Sequence, residues 1–162
     1  MSALEYKKFR VRTAIKSFRD LDVYKNATQL SADIFKLKLP EKYRKSEKIK
    51  AELNILFDLS KNIPRLIAES HSQKFTDLPG ASGKLEKAAQ ICNLIVSKID
   101  FLSIVVDDAE FRGLLLTILN KYPTNKMKIL NLKKAWNKVW GDKKGAFFAP
   151  SQKAKDNSNK IK

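Results

Sequence analysis

Apolar residues along this 162-residue chain recur every three or four positions and nowhere alternate, which is the spacing of helices and not of strands. The plainest case is Leu85, Ala88, Cys92, Ile95, Ile99, Leu102 and Val106, whose 3-4-3-4-3-4 steps predict one long helix with a seam suited to shallow helix crossings. Ahead of it, Ile49, Leu53, Leu56, Ser60, Ile63 and Ile67 step 4-3-4-3-4 and predict a helix over Ser46–Ser70. Pro64 falls inside that pattern; the period resumes at Ile67, so a bend is expected there and not an end.

A first helix is predicted over Leu21–Leu39, with Asp20 as N-cap, Ala27, Leu30, Ile34 and Leu37 on one face, and Pro40 as its stop. Residues 71–82 lose the period and contain Pro79-Gly80, so they read as the longest internal loop. The acids Asp107 and Asp108 suit a helix start, which predicts a break and then a short helix over Ala109–Lys121. Pro123 interrupts and Thr124 is placed to cap a last helix over Asn125–Trp140. Its stripe is Ile129, Leu132, Trp136 and Val139, and Gly141 is its C-cap. The expectation is an all-α domain over 17–141, a basic arm over 1–16 and a flexible basic tail over 142–162.

Composition adds exclusions. The uncharged apolar run Gly113–Asn120 is far shorter than the roughly 20 residues a membrane span needs, so no membrane is expected. Nor does Met1–Asp20 hold the continuous apolar block of a secretory signal, and a soluble, cytoplasmic protein is expected. Cys92 is the sole cysteine and lies on the long seam, so it reads as packing. His71 is the sole histidine and is expected at a helix end, against terminal carbonyls. A cluster of Glu69, Asp107, Asp108 and Glu110 needs two helix ends that an antiparallel bundle keeps at opposite poles. No catalytic set, metal site or cofactor is expected, and the chain does not read as an enzyme.

Charge changes the picture most. The net +16 is uneven: residues 120–162 carry twelve lysines against Asp142 and Asp156, a balance of +10, while 51–119 balance at −2. Residues 36–50 balance at +5 and 1–20 at +4. Basic ends on a near-neutral body point to a polyanion, with RNA or DNA leading. Six lysines between 121 and 138 meet no acid in that stretch. The nucleic-acid-binding candidates are Lys126, Lys128, Lys133, Lys134, Lys138, Lys143 and Lys144, with Arg10 and Arg12 second. Trp136 reads as core, whereas Trp140 is a candidate for base stacking. Phe147-Phe148 is the one apolar feature of the tail, for docking a partner or packing back on its own bundle.

Two landmarks carry a family resemblance. Phe18-Arg19-Asp20-Leu21-Asp22-Val23-Tyr24, followed by Ala27 and Leu30, resembles the opening of a bacterial four-helix-bundle family. That family includes proteins encoded in intervening sequences of large-subunit ribosomal RNA genes and the accessory variability determinant of diversity-generating retroelements. Ile63-Pro64-Arg65-Leu66-Ile67-Ala68-Glu69 is similar to its second landmark, an Ile-Pro-x-x-Ile-Ala-Glu run. The likeness covers about residues 17–106; after Glu69 the family tends to glycine, where this chain has Ser70-His71. The resemblance implies an up-down antiparallel four-helix bundle that assembles as a homo-oligomer, typically a pentamer. For the retroelement accessory it implies a reverse transcriptase and its RNA or DNA as partners. The expected function is therefore a non-enzymatic nucleic-acid-binding accessory protein; the alternative is an interaction scaffold that never touches nucleic acid.

Overall fold

The computed structural model describes residues 15–141, and among the described residues every regular element is helical. Ser17 opens a 3-10 turn over Phe18–Asp20 by accepting from Arg19 N at 3.2 Å. Asp20 Oδ2 accepts in return from Lys16 N and Ser17 N at 2.9 and 3.0 Å, completing a capping box. Asp20 thus closes this turn and does not cap the first helix. Helix α1, Asp22–Phe35, starts at Leu21 without a side-chain cap. It stops before the predicted Leu39: Pro40 has no N–H for the carbonyl of Lys36 and its ring would clash with it, so the helix closes at Phe35 with Lys36 as C-cap. Leu37 and Leu39 still reach the core from the non-helical stretch that follows.

Helix α2, Glu47–Gln73, begins as predicted at Ser46, whose hydroxyl accepts from Ile49 N. It runs one turn beyond Ser70. Asp77 is the reason: its Oδ2 accepts from Gln73 Nε2 at 3.0 Å while its Oδ1 accepts from Gly80 N at 3.0 Å. One carboxylate so ends α2 and caps α3, Leu78–Val105. Pro79-Gly80 therefore lies in the first turn of α3, a favoured place for proline, and the expected loop over 71–82 shrinks to residues 74–77.

All seven residues of the α3 seam are buried. By length and composition α3 is also able to cross a membrane, with 28 residues and a stretch of mean hydropathy 1.5. A core helix of a folded domain passes the same test, so this does not overturn the expectation drawn from Gly113–Asn120. The physical source is position: α3 packs against α2, α4 and α5, so it is apolar round more of its circumference than an outer helix.

The break at Asp107-Asp108 is present, with Asp108 Oδ1 accepting from Phe111 N at 2.8 Å to cap α4, Ala109–Leu119. Helix α5, Tyr122–Trp136, follows after Asn120 and Lys121, both in helical backbone, and no side chain caps it. Pro123 lies in its first turn; having no N–H, it denies Leu119 its helical donor, which places the break upstream of Thr124. Past Trp136 a π-type turn over Asn137–Gly141 widens the register. Trp140 packs against the core in place of Val139, which is 50% exposed.

Contacts fix the helix directions. Ser31 and Phe35 of α1 meet Ser60 and Phe57 of α2. Glu52 and Glu69 of α2 meet Lys98 and Lys84 of α3. Ser82 and Glu86 of α3 meet Asn137, just past α5, and Lys133. Each pair runs in reversed order, so neighbours are antiparallel. With α4 and α5 as one broken leg that also touches α1, four positions enclose a single core from Leu21 to Trp136.

Candidate nucleic-acid interface

The π-type turn and the α2–α3 connection lie at one pole of this bundle, and a cluster of rings forms there. Phe18 meets Tyr24 at 4.9 Å and His71 at 6.5 Å between centroids. His71 in turn meets Trp136 at 6.1 Å, so the histidine packs against rings instead of helix carbonyls. Lys74 Nζ stands 4.9 Å from the ring centroids of both Phe75 and Trp136. Phe75 is 63% exposed and meets Trp140 edge to face at 4.8 Å. The pole thus presents a platform of one exposed ring beside a cation held over aromatic faces. Burial pushes Lys74 below the usual lysine range. Burial, then the neighbouring Lys74 charge, lowers His71 against the opposing pull of Asp20.

Trp140, a candidate for stacking, is half-buried against this platform, and Trp136 is core. Sequence reading missed Phe18, His71, Lys74 and Phe75 as a group. Ending α2 at Ser70 hid them, and the Asp77 cap followed by Pro79 was the signal that would have extended the helix.

The candidate lysines of α5 divide by spacing and by partner. Lys134 and Lys138, four apart and exposed, share the outward face with Met127 and Asn131. Lys128 is exposed on the flank toward α1, where Lys121 reaches Asp33 at 4.0 Å. Lys133, on the α3 flank, pairs with Glu86 at 3.3 Å. Lys126 lies on that flank too, half-buried. The stretch that holds no acid of its own thus borrows two from other helices, Asp33 and Glu86. Among the described residues Lys126, Lys128, Lys134 and Lys138 form no ion pair. Lys143, Lys144, Arg10, Arg12 and Phe147-Phe148 lie outside the described residues.

Position matters more than count. Residue 15 is three residues from Phe18, and Gly141 follows Trp140, so the segments 1–14 and 142–162 are both attached at the aromatic pole. The other basic segment, 36–50, sits at the far pole, where Tyr43 Oη accepts from Asp107 N at 3.0 Å. There Lys36, Lys38 and Arg44 share a cleft with Glu41, Asp108 and Glu110. That pole is mixed in sign.

The acids considered for metal binding are separated along the bundle. Glu69 pairs with Arg65 at 2.7 Å and Lys84 at 3.1 Å, and these two cations lower its carboxyl. Asp107 pairs with Arg112 at 3.3 Å at the opposite pole. Cys92 is 1% exposed, and burial pushes its thiol up to about 12 against a small opposing effect of Lys126, the profile of an inert packing residue. Compared with family models, curated proteins and solved structures, the chain matches none of them.

Proposed function

We propose that this protein is a non-enzymatic nucleic-acid-binding accessory protein whose binding surface is the aromatic pole together with the outward face of α5. The single observation that carries the reading is that the chain enters and leaves the described residues at the pole that presents Phe75 and Trp140, so that both net-basic end segments, +3 over 1–14 and +4 over 142–162, extend from it. Cations track a phosphate backbone while rings stack on unpaired bases, a pairing suited to single strands with weak sequence preference. In its most concrete form the protein is the reverse-transcriptase accessory subunit of a diversity-generating retroelement, working in the cytoplasm as an up-down bundle assembled into a homo-oligomer. The support for that form is the resemblance carried by residues 18–30 and 63–69, and the pentamer rests on the resemblance alone. The antiparallel neighbours and the continuation of α2 through Pro64 are consistent with it.

Binding of labelled random single-stranded RNA, followed by anisotropy across a salt series, tests the reading. Replacing Lys128, Lys134 and Lys138 by glutamine is expected to reduce the slope of log affinity against log salt by about 2. Truncation after Gly141 is expected to weaken binding further. A salt-independent affinity, or one untouched by both changes, sinks the reading.

A second reading, an interaction scaffold that does not bind nucleic acid, is favoured by one observation. Leu94, Phe101 and Ile104 of α3 are 53%, 49% and 79% exposed on one outer stripe. Absence of RNA binding at low salt by the full chain selects it.

A further inference from the structure

Asn125 is 2% exposed, and among the described residues neither its Nδ2 nor its Oδ1 meets a hydrogen-bond partner. A primary amide offers two donors and an acceptor oxygen, and leaving them unmet inside a protein costs more than an ordinary hydrogen bond contributes. The side chain lines a cleft of about 390 Å³ between α1 and the joint of α4 with α5. Asn26, Gln29, Asp33, Lys121 and Thr124 line it as well. That volume falls within the range of small-ligand sites.

The lining selects the ligand. Its one carboxylate is already engaged: Asp33 Oδ1 accepts from Gln29 Nε2 at 2.9 Å, and Oδ2 faces Lys121 Nζ at 4.0 Å. A bare anion would meet Asp33, and a hard divalent cation would meet the Lys121 ammonium and only one carboxylate, already engaged. What suits Asn125 is a neutral edge with a donor beside an acceptor. Adenine presents such an edge, N6–H2 next to N7, which asparagine pairs with two hydrogen bonds, and unpaired bases leave it open. A peptide amide offers the same two groups but no phosphate. Lys121, 57% exposed and held loosely at 4.0 Å, stands at the rim where a phosphate would run, and the exposed Lys128 continues that side seven residues on. The Asn125 amide is closed off from solvent, so a ligand reaches it only when the cleft lining shifts.

We infer that this cleft takes one unpaired adenine base of a bound single strand, its donor–acceptor edge paired with the Asn125 amide and its phosphate against Lys121. The inference rests on the nucleic-acid reading above and adds base preference to it.

Titrating the full chain with labelled oligoadenylate, oligouridylate and oligocytidylate of equal length tests it. Oligoadenylate is expected to bind about tenfold tighter than the others, and Asn125→Leu to remove that preference while keeping oligouridylate affinity within about twofold. Thr124→Trp fills the mouth from an exposed position and leaves Asn125 in place, so it should act alike even if the first variant folds poorly. Equal binding of the three homopolymers by the unmodified protein overturns the inference, as does a preference that survives both variants. Either result leaves the lysine and aromatic surface standing. Failure to bind any homopolymer at low salt overturns both readings.

Discussion

The hydroxyl of Ser31 donates to the carbonyl of Ser60 at 2.8 Å, and that carbonyl is the one that Pro64 leaves without a helical donor. In an α-helix the carbonyl of residue 60 accepts from the N–H of residue 64; proline has none, and its ring pushes the carbonyl outward. Here that carbonyl meets α1, where Ser31, whose hydroxyl also lies 3.1 Å from Ala27 O, is 7% exposed and Ser60 1%. This contact explains how a proline sits inside a 27-residue helix that packs on both neighbours. Ser31→Ala is expected to cost about 1–3 kcal/mol by stranding a buried acceptor. In a Pro64→Ala background, where residue 64 supplies an N–H, the same substitution should cost about half as much or less. A double-mutant cycle by urea unfolding reads the coupling, and additive costs would refute it.

Asp77 serves two helices with one carboxylate, and a Cβ at Gly80 would overlap its Oδ2. Gly80→Ala therefore must displace the cap, although alanine is the better helix former elsewhere. Both Gly80→Ala and Asp77→Ala are expected to destabilise by about 1 kcal/mol, the usual worth of a cap. Their double variant should cost little more than either alone. Full additivity in thermal unfolding would show that the two residues act separately.

Burial sets the pH limits of stability. Cys92 is raised from 9.0 to about 12, and Tyr122 is raised as well, chiefly by burial. The native state keeps both protons where the unfolded chain has begun to release them. Stability is thus fully present below about pH 9 and falls as pH rises beyond it. His71 is lowered from 6.5, so the unfolded chain binds that proton first and stability falls as pH drops below about 6.5. The urea midpoint should be flat between these values. Cys92→Val should make the alkaline limb shallower without moving the acid limb; an unchanged alkaline limb would contradict the assignment.

Two lysines one position apart should behave differently. Lys133 is tied to Glu86, whereas Lys134 is exposed and unpaired among the described residues. Lys134→Gln is expected to lower RNA affinity more than Lys133→Gln, and Glu86→Gln alone, which frees Lys133, should raise it. Equal losses would mean that local geometry is irrelevant to binding.

Phe75 spends little on the fold, being 63% exposed, yet it faces Trp140 at the pole where both basic segments join. Phe75→Ala should leave thermal stability within about 1 kcal/mol and weaken single-stranded RNA binding about 5- to 100-fold, the worth of one stacked base. Duplex RNA of equal length should be far less affected, because its bases are already stacked. Equal losses on both would deny the stacking role.

Much of the fold was legible because helix periodicity is a local property. The α3 seam, the Ser46 start, the break at Asp107-Asp108 and the burial of Ile129 and Trp136 follow from spacing, capping chemistry and acids at a helix start. Errors came where a residue answers to a partner beyond its own turn. Asp20 turned back to Ser17, Asp77 joined two helices, and the π-type turn exchanged Val139 for Trp140. The candidate site was less legible, since lysine counts along the chain say nothing of the acids that neighbouring helices bring.

By itself the sequence determined the helical class, the apolar faces, the proline stops and the uneven charge, each a matter of residues within a turn or two. Only the tertiary structure decided that Lys133 is neutralised and Lys134 is not, and that Ser31 serves the proline-stripped carbonyl of α2. It also decided that Asn125 lines a cleft with its amide unpaired among the described residues, and that Phe18 and Trp140, near the two ends of the described chain, belong to one aromatic pole. The reason is geometric: these pairs lie tens of residues apart, and only the antiparallel docking of the helices brings them to one place.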